Sequence, residues 1–316
     1  MRILITGGFG FLGSRLAVHL VQVGHQVILS TRHSMTPPGW LPQAEVVKVG
    51  WDDEVALENS CNSVDIIIHA AGMNAKDCAA DPVAALAFNG LATAKLAAAA
   101  KRARVKKLIY ISTAHVYGSP LVGVISEETC PRNLHPYSTS HLAGEKAVLG
   151  AHSRGELQGI VLRLSNAFGV PIYKDVNCWM LLVNDLCRQA VETRKLVLQT
   201  SGMQECDFIG LADLCCVVEK FLTHPPLMQD NVLNVGTGSS LTVLAMAHLI
   251  QQRCAIVLGF TPELVYKPGL ADEMHEGLIY VVSKLVELNG SVNQNVSKEI
   301  DQLLIFCKSS FAKMGS

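Results

Sequence analysis

Two side chains that can move or hold protons stand four residues apart in the stretch HPYSTSHLAGEK, which runs from His135 to Lys146. Residues i and i+4 share one face of a helix, so Tyr137 and His141 are expected side by side. A phenol can give a proton to a reacting oxygen, and a neighbouring imidazole can take part in a hydrogen bond. An ordinary histidine is mostly neutral at pH 7, so His141 is not expected to carry a permanent positive charge.

A glycine-rich turn lies near the start of the sequence. The segment TGGFGFLG follows the apolar run Arg2 to Thr6 and precedes a helical pattern. Glycines let the backbone approach a pyrophosphate closely, and the helix N-terminus supplies free N–H groups and the positive end of a dipole. This context predicts a dinucleotide site, and its candidate contacts are Gly7, Gly10, Phe11, Leu12 and Gly13.

The end of the second predicted strand bears on the choice of cofactor. A carboxylate there would bind the adenosine ribose hydroxyls of NAD and would repel the 2′-phosphate of NADP. The sequence instead reads Ser30-Thr31-Arg32, and a guanidinium can pair with a phosphate. We therefore predict that NADP is preferred, with NAD as the alternative, and that Thr31 and Arg32 contact it. Asp52, after the third strand, is a candidate contact at the adenine edge.

Apolar runs and helical patterns alternate along the first half of the sequence. Strands are predicted at 2–6, 26–30, 45–49, 64–72, 106–113 and 159–166, and the alanine-rich stretch 82–101 is predicted to be helical. Continuous apolar strands separated by helices indicate a parallel sheet that is covered on both faces. We predict an α/β fold with a doubly wound parallel sheet of the Rossmann type in residues 1–166. Residues 167–316 are predicted to form a smaller, mixed α/β substrate lobe, with some strands returning to the first domain.

Composition argues against several classes of function. The 316 residues carry a formal net charge of −1, which favours neither nucleic acid nor an anionic membrane as a partner. No uncharged apolar run reaches the roughly 18 residues that a bilayer span needs, and no signal peptide is predicted. The ten cysteines lack CxxC spacing, so reduced thiols in a cytoplasm are expected and a metal site is not.

Several motifs occur in an order that resembles one enzyme family. After TGGFGFLG come HAAG at 69–72, AFNGLAT around Asn89, YISTAHVYG at 110–118, the stretch around Tyr137, and VLRLSNAFG at 161–169. Together they resemble the extended short-chain dehydrogenase/reductases of the nucleotide-sugar epimerase/dehydratase type, over about residues 1–288. The resemblance implies a Rossmann fold, a nicotinamide cofactor, a sugar substrate and a homodimer.

The resemblance also implies roles for individual residues. Thr113 and Tyr137 match the residues that hydrogen-bond the reacting sugar oxygen and exchange a proton with it while hydride moves to or from nicotinamide. Asn166 matches a residue that reaches the substrate. The remaining implied cofactor contacts are Ala70, Ala71, Asn89, His141 and Leu164, together with Tyr137 itself.

Two positions depart from the family pattern. His141 stands where the family has a lysine that binds the nicotinamide ribose and lowers the tyrosine pKa by its charge. A histidine can do the first, but it does the second only when protonated. Cys206, in QECDFIG, stands where the family has an arginine that holds the sugar nucleotide's diphosphate. Cys206 remains the candidate substrate contact, but its uncharged thiol weakens the expectation of a standard nucleotide diphosphate sugar.

These observations predict an NAD(P)-dependent oxidoreductase or epimerase that acts on a sugar, most naturally a nucleotide-linked one. Simple 4-keto reduction is preferred because NADP suits net reduction. Ala114 and His115 follow Thr113 in place of the carboxylates that the family's 4,6-dehydratases use. Two alternatives stay open: a dinucleotide-binding sensor or partner-binding protein with altered chemistry, and a reductase for a non-sugar carbonyl.

Overall fold

The structure is a computed structural model that describes residues 1–32, 36–223, 231–266, 276–288, 292 and 295–312. Its strands are β1 (Arg2–Thr6), β2 (Gln26–Thr31), β3 (Glu45–Lys48), β4 (Ile66–His69), β5 (Lys107–Thr113), β6 (Gly123–Ile125), β7 (Gln158–Leu164), β8 (Asn166–Phe168), β9 (Lys195–Val197), β10 (Glu205–Gly210), β11 (Val232–Val235), β12 (Ser240–Thr242), β13 (Glu263–Val265) and β14 (Leu278–Tyr280). Its α-helices are α1 (Phe11–Gln22), α2 (Glu54–Ser60), α3 (Ala75–Ala80), α4 (Pro82–Ala85), α5 (Ala92–Arg102), α6 (Pro136–Ser153), α7 (Leu182–Thr193), α8 (Leu211–Thr223), α9 (Val243–Leu258), α10 (Ser283–Glu287) and α11 (Val296–Phe311).

The main sheet holds seven strands in the order β11-β7-β5-β4-β1-β2-β3. Neighbouring strands from β7 to β3 pair in parallel. Successive strands are added on one side of β1 and then, from β4 onward, on the other. In such sheets ligands bind outside the carboxyl ends of the strands at this switch point. β5 is buried along its whole length, as a strand covered on both faces must be. The predicted α/β fold with a doubly wound parallel sheet is confirmed.

The alanine-rich helix predicted over 82–101 is present, but its middle is not α-helical. A π-helical segment, Leu86–Leu91, joins α4 to α5. Such a segment shifts the side chains that follow it around the helix, and here polar Asn89 is only 1% exposed. The composite helix Pro82–Arg102 could span a bilayer by length and composition alone, a test that a domain's core helix also passes. Half of its most apolar stretch is buried inside the chain.

A buried ion pair joins the sheet to α6. Arg163 on β7 and Glu145 on α6 approach to 2.6 Å, and both side chains are buried. Glu145 also accepts a hydrogen bond from Ser112 at 2.5 Å. The Arg163 guanidinium lies 4.7 Å from the ring centre of Tyr117, which follows the 3₁₀ turn after β5. The arrangement therefore fixes the end of β5 relative to α6, the two elements that carry Thr113 and Tyr137.

Replacing Arg163 with methionine is expected to lower the free energy of unfolding by about 3–5 kcal/mol, because the Glu145 charge is then left buried and unpaired. Urea unfolding followed by circular dichroism measures the change. The matched control is Lys106→Met, which removes an exposed ion pair with Asp65 and should have little effect. Equal, small effects of the two substitutions would contradict the role given to Arg163.

The chain divides into two compact units. The first consists of Met1–Ser119, Cys130–Leu164 and Val218–Asn234, and the second of Pro120–Thr129, Ser165–Val217 and Val235–Ser316. The predicted division after residue 166 lies two residues beyond Leu164. The returning segment, 218–234, supplies most of β11 to the main sheet.

Among the described residues, the second unit contains three small sheets, the whole of α7, α9, α10 and α11, and the first part of α8. β10 pairs with β8 and β12, β9 with β13, and β6 with β14. α11 lies against α7 and α9, and its apolar face is buried in a common core. α11 is therefore a core helix of this unit.

Candidate active site

The loop after β1 is shaped by its glycines. A β-carbon at Gly13 would lie 2.2 Å from the Gly7 carbonyl oxygen, and Gly7 itself has a φ of +68°. Only glycine tolerates so close an approach of α1 to the loop. Gly10 precedes the first residue of α1, and without a side chain it leaves the first-turn N–H groups uncapped. This cradle fits the pyrophosphate of a dinucleotide.

A cleft of about 260 Å³ opens beside the loop. The predicted cofactor contacts that line it are Gly7, Gly10, Thr31, Arg32, Ala70 and Ala71. Its other lining residues, which sequence analysis does not assign, are Phe9, Ser30, Val49, Trp51, Gly72 and Phe88. Five of these lie directly beside a predicted contact in the sequence, and Val49 lies three residues before Asp52. The motifs therefore locate the right segments, but they do not show which side chains turn towards the cleft.

The side chains of Arg32 and Asp52 take different positions. The Arg32 guanidinium lies 5.6 Å from the ring centre of Phe88, within the cleft's lining. The Asp52 carboxylate is fully exposed and pairs with Lys95 at 3.0 Å. Its neighbour Trp51 lines the cleft instead, packed edge-on against Phe88 with ring centres 5.7 Å apart. Trp51 and Phe88 thus present aromatic side chains in the cleft, and the contact of Asp52 with an adenine stays a prediction.

Thr113 and Tyr137 are brought together, as sequence analysis predicts from two separate motifs. Thr113 is the last residue of β5, and Tyr137 lies in the first turn of α6. Burial raises the pKa of Tyr137, and a hydrogen bond with Thr113 offsets part of this rise. Thr113 Oγ1 also accepts a hydrogen bond from the His115 N–H at 3.1 Å. The phenol therefore keeps its proton at neutral pH and lies beside a fixed hydroxyl.

His141 lies one turn along α6 from Tyr137. The two ring centres are 4.6 Å apart, with the rings packed edge to face. His141 Nδ1 is 2.9 Å from the Tyr110 hydroxyl on β5. Burial lowers the pKa of His141 to about 4, so its ring is neutral at pH 7. Position 141 therefore gives Tyr137 a neutral neighbour where the family resemblance would place a cation.

Two hydrogen bonds hold the buried side chain of Asn89 beside His141. Its Oδ1 accepts a hydrogen bond from the Met73 N–H at 2.9 Å, and its Nδ2 donates one to Ser140 Oγ at 3.0 Å. α6 can come this close because Gly144 has no side chain: a β-carbon there would lie 2.6 Å from the Asn89 carbonyl oxygen. Asn89 thus ties the segment after β4 to the helix that carries Tyr137.

Four other predicted cofactor contacts lie at the start of α1 and at the end of β7. Phe11 and Gly13 are buried in α1, and Leu164 is buried at the end of β7. Leu12 is partly exposed in the first turn of α1. The structure does not place these residues among those lining the cleft, and their contacts with a dinucleotide stay predictions.

The predicted substrate contacts Asn166 and Cys206 belong to the second unit. Asn166 Nδ2 donates a hydrogen bond to the Asp207 carbonyl at 3.0 Å across the β8–β10 pair. Cys206 is partly exposed, and burial raises its pKa to about 11, so the thiol is uncharged at pH 7. Its neighbour Asp207 is structural: its carboxylate accepts hydrogen bonds from the Ser165 hydroxyl and from Thr237 and Gly238 in the turn after β11.

Comparison with known proteins identifies the family of this chain. Residues 3–236 match the NAD dependent epimerase/dehydratase family. The human dTDP-D-glucose 4,6-dehydratase is 27% identical over 266 residues, covering 79% of this chain and 73% of that protein. The dTDP-6-deoxy-L-talose 4-dehydrogenase (NAD(P)(+)) of Kitasatospora kifunensis is 28% identical over 266 residues, covering 81% and 80%.

Solved structures share the fold. The Thermus thermophilus UDP-glucose 4-epimerase in complex with NAD superposes with a TM-score of 0.81 at 22% identity, covering 98% of this chain and all of that one. The family expected from the ordered sequence motifs is confirmed, since its match extends over about three quarters of the chain. The chain belongs to the NAD-dependent epimerase/dehydratase family, the extended short-chain dehydrogenases that act on nucleotide sugars.

Proposed function

We propose that this protein is an NAD(P)H-dependent reductase of a keto group on a sugar, most naturally the 4-keto group of a nucleotide-linked sugar. The observation that carries the proposal is the protonated, hydrogen-bonded Tyr137 beside a neutral His141. A tyrosine in that state is ready to give a proton and poorly prepared to take one.

In this proposal, the dinucleotide, Tyr137 and Thr113 each have a separate role in the reduction. The reduced dinucleotide, when bound, supplies hydride to the carbonyl carbon. Tyr137 gives its proton to the carbonyl oxygen, so that the alkoxide is neutralised as it forms and the product is an alcohol. The Thr113 hydroxyl orients Tyr137 and offers a hydrogen bond to the same oxygen.

Epimerisation and dehydration are less well supported by these residues. Both begin by oxidising an alcohol, which requires a tyrosinate to accept the hydroxyl proton. The neutral His141 does not stabilise that anion. Ala114 and His115 also provide no carboxylates after Thr113, where the family's dehydratases have them. Keto reduction needs neither a tyrosinate nor the missing acids.

The test is a set of keto-sugar nucleotides incubated with NADPH or NADH, followed by the loss of absorbance of the reduced dinucleotide. Oxidation of dinucleotide that depends on one keto-sugar, with the alcohol as product, supports the proposal. Dinucleotide binding without turnover on any substrate would leave a binding protein in its place. Release of a 4,6-dehydrated product from an unoxidised sugar nucleotide would show that the protein is a dehydratase.

Arg32 is expected to give NADPH an advantage over NADH, because its guanidinium lies in the cleft where a 2′-phosphate can pair with it. Arg32→Ala should weaken NADPH binding by about 1–3 kcal/mol and leave NADH almost unchanged. Fluorescence titration with both dinucleotides measures the two affinities. Lys106→Ala, which removes an exposed charge just before β5 and outside the lining of the cleft, is the control. Equal affinities of the wild type for NADPH and NADH would exclude this role of Arg32.

Cys206 supports a second candidate function, reduction of a carbonyl that carries no diphosphate. An uncharged thiol cannot pair with a diphosphate, so weak binding of UDP is expected. Cys206→Arg should tighten UDP binding measurably by calorimetry, and Cys206→Met, which adds bulk without charge, should not. Tight UDP binding by the wild type would show that another cation holds the diphosphate, and it would favour the nucleotide sugar.

Two further proposals concern the protein as a whole. Apolar side chains remain exposed on the composite helix, among them Val83, Leu86 and Leu91. They support the homodimer that the family resemblance implies. The ten cysteines are free thiols, which supports a reducing compartment, and we propose the cytoplasm.

A further inference from the structure

The first turn of α6 is capped by an unusual side chain, the imidazole of His135. The helix begins at Pro136, which has no N–H to satisfy. The Ser138 and Thr139 N–H groups donate to the His135 carbonyl oxygen at 2.9 and 3.0 Å. The Tyr137 N–H donates instead to His135 Nδ1 at 3.2 Å. The backbone of Tyr137 is therefore hydrogen-bonded to an exposed, titratable ring.

This hydrogen bond fixes the protonation state of His135 while the cap is formed. A backbone N–H can only donate, so Nδ1 must be without hydrogen and the neutral ring carries its hydrogen on Nε2. Serine, threonine, aspartate and asparagine, the usual N-cap residues, keep an acceptor oxygen throughout the neutral range. A protonated imidazole has two N–H donors and no acceptor, and its charge would lie at the positive end of the helix dipole. Protonation of His135 therefore breaks the cap.

The rest of the first turn is anchored by groups that do not titrate. The Asn133 amide and the Ser138 hydroxyl donate to the His115 carbonyl oxygen at 2.8 and 2.9 Å, in the 3₁₀ turn after β5. The His115 N–H in turn donates to Thr113 Oγ1. These bonds hold the start of α6 against the end of β5 whether or not the cap is formed. Loss of the cap should therefore loosen the Tyr137 peptide without unfolding the helix.

We propose that His135 is a positioning residue, whose neutral ring holds the Tyr137 peptide and whose protonation releases it. In the described part of the chain, His115 on the 3₁₀ turn is the titratable group of another element that interacts with His135. Burial lowers the pKa of His115, and a positive charge on His135 lowers it further, so His115 is neutral at pH 7. That the release of Tyr137 slows proton transfer to a substrate rests on the proposed function.

Hydrogen exchange of the Tyr137 amide tests the proposal without ligand and without turnover. The protein is labelled with ¹⁵N-tyrosine, and the Tyr137 signal is assigned by its loss in Tyr137→Phe. From about pH 8 to pH 5, the range in which ordinary histidines change charge, the protection of this amide relative to an unstructured peptide should fall. A decrease of roughly 2–30-fold is expected for the loss of an N-cap. Constant protection while the His135 ring takes up its proton would overturn the proposal.

His135→Asn is the matched variant, because asparagine is a good N-cap that does not titrate. The Tyr137 amide should then be protected equally at both ends of the pH range, whereas in His135→Ala it should be weakly protected at both. The controls are His115→Gln and a substitution of His152, in the last turn of α6, by asparagine. Both should keep the pH response of the wild type. A response that survives in His135→Asn would belong to another group and would overturn the proposal.

Single-turnover reduction of a keto-sugar by NADPH adds the functional arm of the test. Tyr137 keeps its own proton on the acid side of neutrality, so its ionisation does not slow the reaction there. The rate of the wild type should still fall at least about twofold towards pH 5, because a released peptide lets the phenol leave its alignment. The rate of His135→Asn should not fall.

Equal losses of rate in the wild type and His135→Asn would show that the cap does not position Tyr137 for the reaction. Absence of turnover in both proteins would instead count against the proposed function, because the protection of the Tyr137 amide is measured separately.

Discussion

Replacing Tyr137 with phenylalanine is expected to slow carbonyl reduction roughly 10²–10⁴-fold, because the reaction loses the group that protonates the new alkoxide. The phenylalanine ring keeps the edge-to-face contact with His141, so the fold and the affinity for NADPH should change little. Single-turnover oxidation of bound NADPH isolates the hydride step from product release.

Thr113→Val is the matched substitution on the other hydroxyl. It removes the hydrogen bond with Tyr137 while keeping the β-branched shape at the end of β5. A loss approaching the roughly 10²–10³-fold typical of one donor to a developing oxyanion is expected. If Tyr137→Phe retains full single-turnover activity, then Tyr137 is not the proton donor and the assignment of the site is wrong.

Much of the first unit could be predicted because its signals are local. The strand–glycine–helix sequence at 2–22 encodes the dinucleotide cradle within a few turns of chain, and the apolar strands encode their own burial. Thr113 and Tyr137 could be paired through the family resemblance, which places both beside the reacting sugar oxygen. The family resemblance also supplied the role of each residue, because the spacing of residues in the sequence does not reveal it.

The features that could not be predicted depend on contacts between distant parts of the sequence. The partner of His141 is Tyr110, 31 residues away, and sequence spacing gives no sign that the two meet. The π-helical segment that contains the buried Asn89 packs closely against Gly144, and no propensity rule predicts it. Asp52 was the polar residue expected near the adenine edge, yet its exposed carboxylate pairs with Lys95 while Trp51 turns to the cleft.

Neutrality at position 141 is the property that most separates this site from the family pattern. A charged lysine there would stabilise the tyrosinate and would serve oxidation and reduction alike. The buried, neutral His141 carries no positive charge that would lower the raised pKa of Tyr137. The two directions of hydride transfer should therefore respond differently to pH.

Reduction by the wild type should be independent of pH through the neutral range, because Tyr137 is protonated at every pH well below its raised pKa. Oxidation of the product alcohol requires the tyrosinate, so its rate should rise about tenfold per pH unit until that pKa is reached. His141→Lys places a permanent charge about one helical turn from Tyr137. It should lower the Tyr137 pKa and move the oxidation profile about 1–3 units towards lower pH.

The measurement is the single-turnover rate in both directions for the wild type, His141→Lys and His141→Gln. The glutamine variant keeps a neutral hydrogen-bonding group and should leave the oxidation profile where it is, so a shift in the lysine variant alone assigns the effect to charge. Oxidation that is already independent of pH near neutrality in the wild type would mean that Tyr137 is ionised there without a cation at 141. The preference for reduction would then lose its physical basis, because a ready tyrosinate serves the epimerase reaction equally well.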